Sequence, residues 1–318
     1  MLIATWNLEN FFLPGGKFGP RDAATYEAKL ASLAAGITEL SPDLLAVQEV
    51  GDPQALDELA DLTGGTWHRA LSEYPDDRGT RVGFLSRLPL TTIADTVAFH
   101  ERMRPVQSDD SSVLTSQAGR GVLAVRVEPD GGPPIDAAVC HLKSKLLSYP
   151  GGRSHPRDEE ERARFGGYAM FRRTAEAVAL RALANRLLEG DGREKTVVVL
   201  GDLNDGASAA TSQILCGPSG SELGTAGFNR PDHGDGSRLW NLAPLIPAGR
   251  RHSRIHAGRP ELIDHILVSH RLVFGVEAVG TGVSDTAPYS LPSIDDDPLS
   301  RRDATEPDHA PVWVRLYA

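Results

Sequence analysis

The chain has 318 residues, 40% hydrophobic and 24% charged, which is ample for a sizeable core. Its formal net charge of -10 argues against a surface that holds nucleic acid by bulk electrostatics, although a local basic rim around a cleft stays compatible with it. No apolar run approaches the length of a membrane span, and Cys140 and Cys216 lack both the number for a disulfide framework and the spacing of a zinc site.

Met1 leads directly into strand-like Leu2-Ile3-Ala4, without the basic region, apolar segment and cleavage site of a secretory signal. A cytoplasmic protein is therefore expected, with a trimmed secreted form as the alternative. The first strand should end at Asn7. A helix follows, with Tyr26, Leu30, Leu33, Ile37 and Leu40 on one face, Asp22 as its N-cap and Ser41-Pro42-Asp43 as its stop. The run Leu44 to Val47 reads as a buried strand that delivers Glu49. A strand–helix–strand unit predicts parallel strands whose carboxyl ends share one crevice, placing Asn7 beside Glu49.

Arg81 to Ser86, Val122 to Val127 and Ile135 to Leu142 are further strand candidates, expected as mainly antiparallel neighbours. Cys140, inside the last of these, is expected to be a buried, inert thiol. A second long helix is marked by Phe171, Ala175, Val178, Ala179, Ala182, Leu183 and Leu187 and ended by Gly190. Thr196 to Leu200 delivers Asp202, and Ile263 to Val268 and Pro311 to Leu316 complete the strands. No composition break interrupts the chain, so residues 1–318 are expected to form one α/β domain. Lys143 to Gly167 and Val283 to Pro307 read as long loops flanking polar strand ends.

Five segments end an apolar run with residues suited to metal-assisted phosphate chemistry. They are Thr5-Trp6-Asn7-Leu8-Glu9-Asn10, Val47-Gln48-Glu49, His141-Leu142-Lys143-Ser144, Gly201-Asp202-Leu203-Asn204 and Asp308-His309-Ala310-Pro311-Val312. A sixth, Leu262-Ile263-Asp264-His265-Ile266-Leu267, begins with the acid. In this order the set resembles the endonuclease/exonuclease/phosphatase superfamily, the DNase I-like fold, from Met1 almost to the last residue. The resemblance implies a layered α/β sandwich of two packed mixed sheets with helices outside. It also implies a divalent-metal-dependent phosphoric ester hydrolase, using Mg²⁺ or Mn²⁺.

Carried over residue by residue, the resemblance makes Glu49 the principal metal ligand, with Asn7 and Asp308 completing the metal site. His309 is expected to pair with Asp264, since an imidazole needs a carboxylate to fix its tautomer and steady its charged form. Asp202 and Asn204 match the residues that position water and phosphoryl group, and His141 matches a second histidine at the scissile phosphate. Two histidines and an aspartate there allow opposed acid and base roles. Arg120 resembles an arginine that reaches a substrate phosphate. Lys143, Lys145, Arg251 and Arg254 are expected to form a basic rim. The stretch Arg250 to His256 is basic where related sequences carry aromatic residues, and Pro307 stands where serine is usual. His265 should point to the opposite strand face and be structural, as should His100, His233 and His270.

Three readings follow. The first is a nuclease, endonuclease or exonuclease, acting on DNA or RNA as a monomer without membrane insertion. The second is a phosphatase or phosphodiesterase for a small phosphorylated molecule or phospholipid headgroup. The third is an inactive binding module, whose mark would be loss of Glu49, Asp202, Asp264 or His309; all four are present. A nucleic-acid reading asks for aromatic platforms among basic residues, and Tyr149, Tyr168 and Tyr289 are the loop candidates.

Overall fold

The computed structural model describes residues 1–111, 113–225, 228–284, 290–295, 297 and 300–317. Two six-stranded sheets pack face to face, each covered outside by helices. The strands are β1 (Leu2–Phe11), β2 (Leu44–Val50), β3 (His68–Leu71), β4 (Arg81–Ser86), β5 (Leu90–Ala98) and β6 (Gln117–Val127). After them come β7 (Ile135–His141), β8 (Val197–Asp202), β9 (Leu239–Asn241), β10 (Asp264–Ser269), β11 (Val276–Thr281) and β12 (Val312–Leu316). One sheet runs in the order β11-β12-β1-β2-β4-β3 and the other β9-β10-β8-β7-β6-β5. This is the layered α/β sandwich expected, with both sheets mixed.

Strand alternation explains the layers. In β7, Ile135, Ala137 and Val139 face the core between the sheets, while Ala138 and Cys140 face the helical layer outside. Ile3, Ala46 and Phe84 of the first sheet meet Val198, Leu200 and Ile266 of the second in that core. Each fully buried Val, Leu, Ile or Phe side chain among these is worth about 1.5–3 kcal/mol relative to exposure.

Helix α1 (Ala23–Leu40) begins where the Asp22 carboxylate accepts the Thr25 N–H at 2.8 Å and ends at Ser41 in the left-handed region, φ 51°. It buries Tyr26, Leu33, Ala34, Ile37 and Leu40 on the first sheet, with Leu30 packed beside them. The strands β1 and β2 that it connects are parallel, with Asn7 opposite Gln48. Helix α2 (Pro53–Leu62) lies on the same face, and its short apolar pattern went unread in the sequence.

Helix α3 (Glu159–Leu188) departs from expectation at both its start and its buried face. The acidic run assigned to a loop is its first turn: Asp158 accepts the Glu161 N–H at 2.8 Å, and anionic groups suit the unpaired N–H groups of a helix start. The loop after His141 is therefore shorter than predicted. Phe171, taken as a marker of the buried face, is 50% exposed. Ala175 and Leu183 are buried as expected, and the buried stripe also runs through Phe165, Ala169, Arg173, Glu176, Ala177, Leu180 and Ala184. Two charged residues in that stripe disguised it.

Strand β1 runs beyond Asn7 to Phe11, and β6 starts earlier than Val122, at Gln117. Within the second predicted loop, Ser293–Ile294 pairs with Ile255–His256; Tyr289 and Asp296 lie outside the described residues. Tyr149 is buried against Phe165, and the Tyr168 hydroxyl donates to Asp110. Tyr149 therefore does not offer the open aromatic platform expected of it. No described helix is long and apolar enough to cross a membrane. Cys140 is buried, and burial pushes its thiol well above the usual range, as an inert core thiol requires.

Candidate active site

The site forms where strand ends of the two sheets converge. In the second sheet, β8 is parallel to β7 and antiparallel to β10, and its last residue Asp202 is in register with His141 on one side and Asp264 on the other. Residues paired across neighbouring strands project to one face. Register alone thus lines up His141, Asp202 and Asp264. Gly201 must precede Asp202: its φ is 137°, and a Cβ there would collide with the Cys140 carbonyl of β7.

In the first sheet, β1 and β2 lose regular pairing after Asn7 and Gln48, and regain it at Phe11 and Val50. Glu9, Asn10 and Glu49 all have positive φ, near 50°, 48° and 60°. Non-glycine residues in that region cost on the order of 1–3 kcal/mol each, and such strain gathers at functional sites. The bulge turns the Glu49 carboxylate back onto β1, where Oε2 accepts the Asn10 N–H at 2.8 Å. Asn7 Nδ2 crosses between the sheets to donate to Asp202 Oδ2 at 3.1 Å.

Arg78 was not foreseen. It lies 3.5 Å from Glu49 Oε1 and donates to Asn10 Oδ1 at 2.8 Å. Burial pushes the Glu49 carboxyl up, but the guanidinium groups of Arg78 and Arg120 and the Asn10 N–H outweigh it, holding it well below the usual carboxylate range. Asp76, also unforeseen, folds its own loop by accepting the Arg78 and Thr80 N–H groups and pairs with Arg120 at 3.1 Å.

Arg120 donates to His141 Nδ1, and His141 Nε2 faces Asp202 Oδ2 at 3.3 Å. A guanidinium only donates, so Nδ1 is the unprotonated nitrogen and Nε2 carries the proton. Burial, then Arg120, drives the His141 pKa well down and keeps the ring neutral. Asp202 is pushed up to about 7, first by burial and then by the Asp264 carboxylate in register with it. Asn204 donates its N–H to Asp202 Oδ1 at 2.8 Å and its amide to the Leu142 carbonyl at 3.0 Å, and so ties the β7 and β8 ends together.

His309 Nδ1 donates to Asp264 Oδ2 at 2.7 Å, both side chains being almost fully buried. Burial alone would lower the His309 pKa, but Asp264 and Asp308 raise it to about 10, so the ring is an imidazolium at neutral pH. Ser253, not singled out in the sequence, donates to Asp264 Oδ2 at 2.6 Å and accepts the Asp264 N–H. His309 is placed by its own backbone: its carbonyl accepts Trp6 Nε1 at 2.8 Å, and Ala310 N–H binds Ser253 O. Asp308 is half-buried, with its N–H on Glu9 Oε2 at 2.9 Å; Glu9 in turn takes a two-armed contact from Arg301.

Two oxygen-rich places invite a cation. Asp202, Asp264 and His309 offer ligand atoms within 4.8 Å of one another. However, His309 holds a proton on Nδ1 and is cationic, so it repels a metal unless deprotonated. Glu49 fits a hard divalent ion better: its carboxylate is ionised, and its Arg78 contact at 3.5 Å is loose enough to yield. The Asn7 amide oxygen, which accepts the Glu9 N–H at 3.0 Å, and the half-buried Asp308 carboxylate supply oxygen donors of the same kind.

The predicted basic rim is brought together only in part. Arg120 reaches His141, and Arg254 is close enough to lower the Asp202 pKa while its guanidinium binds Glu261 at 2.7 Å. Lys143 Nζ instead donates to the Ser144 and Leu146 carbonyls at 3.0 and 2.9 Å. Lys145 pairs with Asp205 at 3.3 Å while 43% exposed. Arg251 turns to the Pro244 and Ile246 carbonyls. Sequence spacing locates these cations in the chain but says nothing of which local carbonyl captures a long side chain. His265 is structural as expected, bound to the Asp205 carbonyl and Asn241.

Residues 4–285 match the model of the endonuclease/exonuclease/phosphatase family. Among solved structures, the chain is similar to a 3'-5' exonuclease from Neisseria meningitidis, with 18% identity and a TM-score of 0.54 over 100% of both chains. It is also similar to the mannosyl-6-phosphatase of Bacteroides thetaiotaomicron, with 13% identity and a TM-score of 0.56 over 100% of both chains. Against the human Nocturnin catalytic domain the identity is 14% and the TM-score 0.53, covering 99% of this chain and 93% of that one. At such identities the likeness is one of fold. No curated protein matches the sequence. The chain belongs to the endonuclease/exonuclease/phosphatase family, a superfamily of metal-dependent phosphoester hydrolases.

Proposed function

We propose that this chain is a divalent-metal-dependent phosphodiester hydrolase, a nuclease that grips DNA or RNA through groups immediately around the scissile phosphate. The observation that carries this reading is the row His141, Asp202 and Asp264 at one sheet's end, joined through Asn7 to the end of β1, whose Asn10 N–H also holds Glu49. Hydrolysis of a phosphate ester needs an activated water, relief of charge on the phosphoryl oxygens, and a proton for the leaving oxygen.

Glu49, Asn7 and Asp308 would hold Mg²⁺ or Mn²⁺, which polarises the phosphoryl oxygens when bound. Asp202, with a pKa pushed up to about 7, orients and deprotonates the attacking water, while Asn7 and Asn204 fix its carboxylate. Neutral His141, with its proton on Nε2, donates toward the same phosphate, and Arg120 beside it sets the tautomer. His309, cationic through Asp264, offers positive charge and a second proton.

A second reading, a small phosphorylated molecule or phospholipid headgroup as substrate, is favoured by one observation: Lys143, Lys145 and Arg251 are already held by local carbonyls or Asp205. The two readings share all the chemistry and separate in one assay. The protein is incubated with Mg²⁺ or Mn²⁺ and single-stranded DNA, duplex DNA, RNA, bis-p-nitrophenyl phosphate and simple monoesters. Cleavage of polynucleotides at rates well above the minimal diester supports the nuclease. Turnover of monoesters alone overturns it, and no turnover of any ester refutes the hydrolase.

A further inference from the structure

Arg173 and Glu176 lie one turn apart in the middle of α3, and both are buried, Glu176 to 4% exposure. Charges at that depth have given up hydration and persist only where other groups satisfy them. Here the satisfying groups belong to the strand ends that carry the site. Glu176 Oε1 accepts the N–H of Gly119, the residue before Arg120, at 3.2 Å. Its Oε2 accepts the N–H of Lys143, two residues beyond His141. Arg172 donates Nε to Oε1 at 3.2 Å and steadies the carboxylate from the same helix.

Arg173 completes the grip. Its Nη1 donates to the Lys143 carbonyl at 2.9 Å. Its Nε lies 3.3 Å from Asp205 Oδ2, off the line of the N–H, and so forms an ion pair without a hydrogen bond. Asp205 follows Asn204 directly, and its other oxygen faces Lys145. Lys143 is thus held by both its backbone groups, and the ends of β6, β7 and β8 are tied to one turn of one helix.

We infer that Arg173 and Glu176 are positioning residues: they set the contacts that run from Arg120 through His141 to Asp202 without themselves touching the substrate. The inference rests on the hydrolase reading of that site. It explains why a helix buries an acid and a base where apolar residues would pack at less desolvation cost. A misplacement of about 1 Å at such a site costs on the order of 10²-fold in rate.

The test uses the whole chain with Mg²⁺, bis-p-nitrophenyl phosphate as substrate, and ¹⁵N spectra of the His141 ring. Glu176→Gln keeps the shape but turns an amide NH₂ toward one of the two backbone N–H donors. We expect kcat to fall roughly 10- to 100-fold with KM changed less than about threefold, and the His141 ring signals to shift. Arg173→Lys, which keeps the charge but loses the fork that serves Lys143 and Asp205 together, should show the same pattern and stands in if Glu176→Gln does not fold. The double variant should be little worse than the worse single one, because both act through Lys143. Glu160→Gln, on the exposed first turn, should match the wild type. An unchanged His141 spectrum in both variants overturns the inference, as does wild-type kcat. A wild-type protein that turns over no ester refutes the hydrolase reading instead, and the His141 spectra still report on the grip.

Discussion

Asn7 and Asp202 lie 195 residues apart in the chain, yet a 3.1 Å hydrogen bond joins them where the two sheets meet. Each ends the regular pairing of a central strand, β1 in one sheet and β8 in the other. The bond therefore reports the packing of the sheets at the point where the site needs it. Asn7 and His141 both meet Asp202 Oδ2 while the Asn204 N–H takes Oδ1, so the carboxylate is held in one orientation from both sheets.

Removing the divalent ion should abolish turnover, and Mg²⁺ or Mn²⁺ should restore it. Glu49→Gln removes one anionic ligand and should raise the metal concentration for half-activation. Arg78→Gln removes the cation that competes for Glu49 and should lower it. Titrations of activity against metal distinguish these shifts. Full activity in excess chelator with no metal retained would refute the assignment.

His309→Ala should reduce kcat by about 10²- to 10⁴-fold with the fold preserved. Because Asp264 acts through His309, the Asp264→Ala/His309→Ala double variant should be little worse than the worse single one. Multiplicative losses would show that the two residues work independently.

Ser253→Ala should cost about 1–3 kcal/mol of stability, read from urea unfolding, because it strips a donor from a fully buried carboxylate. It should also lower kcat, since Asp264 Oδ2 then holds His309 without its second partner. A variant as stable as the wild type would mean that water replaces the hydroxyl.

In chelator, stability should depend on pH through His309. Its folded pKa is raised to about 10, above the roughly 6.5 of an unfolded histidine, so the folded state binds the extra proton between those values. The stabilisation is complete below about pH 6.5 and is lost as pH rises toward 10. Melting curves of wild type and His309→Gln should therefore be furthest apart near pH 6 and converge by pH 10. A gap that widens with pH would place a neutral imidazole in the fold.

Salt should affect a duplex substrate only weakly. With Lys143 and Arg251 held by backbone carbonyls and Arg254 by Glu261, only one or two cations such as the half-exposed Lys145 are left to turn toward phosphate, and log KM should rise with log salt at a slope of about 1 to 2. A slope above about 4 would reveal a basic surface that these contacts conceal. Neutralising Lys145 should flatten the slope further while leaving a minimal diester nearly unaffected.

Much of the order of elements, and most of the residues that gather at the candidate site, were legible in the sequence for local reasons. Leu44 to Val47 is an uninterrupted apolar run, Asp22 caps its helix three residues on, and Gly201-Asp202-Leu203-Asn204 places its polar groups at the end of a β-branched strand. Periodicity and capping are read over a few neighbouring residues, and the chain carries them whether or not it is folded. Tertiary structure decided the rest. Only sheet closure buries Asp202, and only strand register sets it beside Asp264, the two causes that raise its pKa; only the bulge after Asn7 brings Glu49 back to Asn10 and Arg78. Only the packing of α3 shows that Arg173 and Glu176 belong to its buried face, because their partners are backbone groups of distant strands. Burial and electrostatics depend on distances between residues far apart in sequence, and those distances exist only once the two sheets have closed on each other.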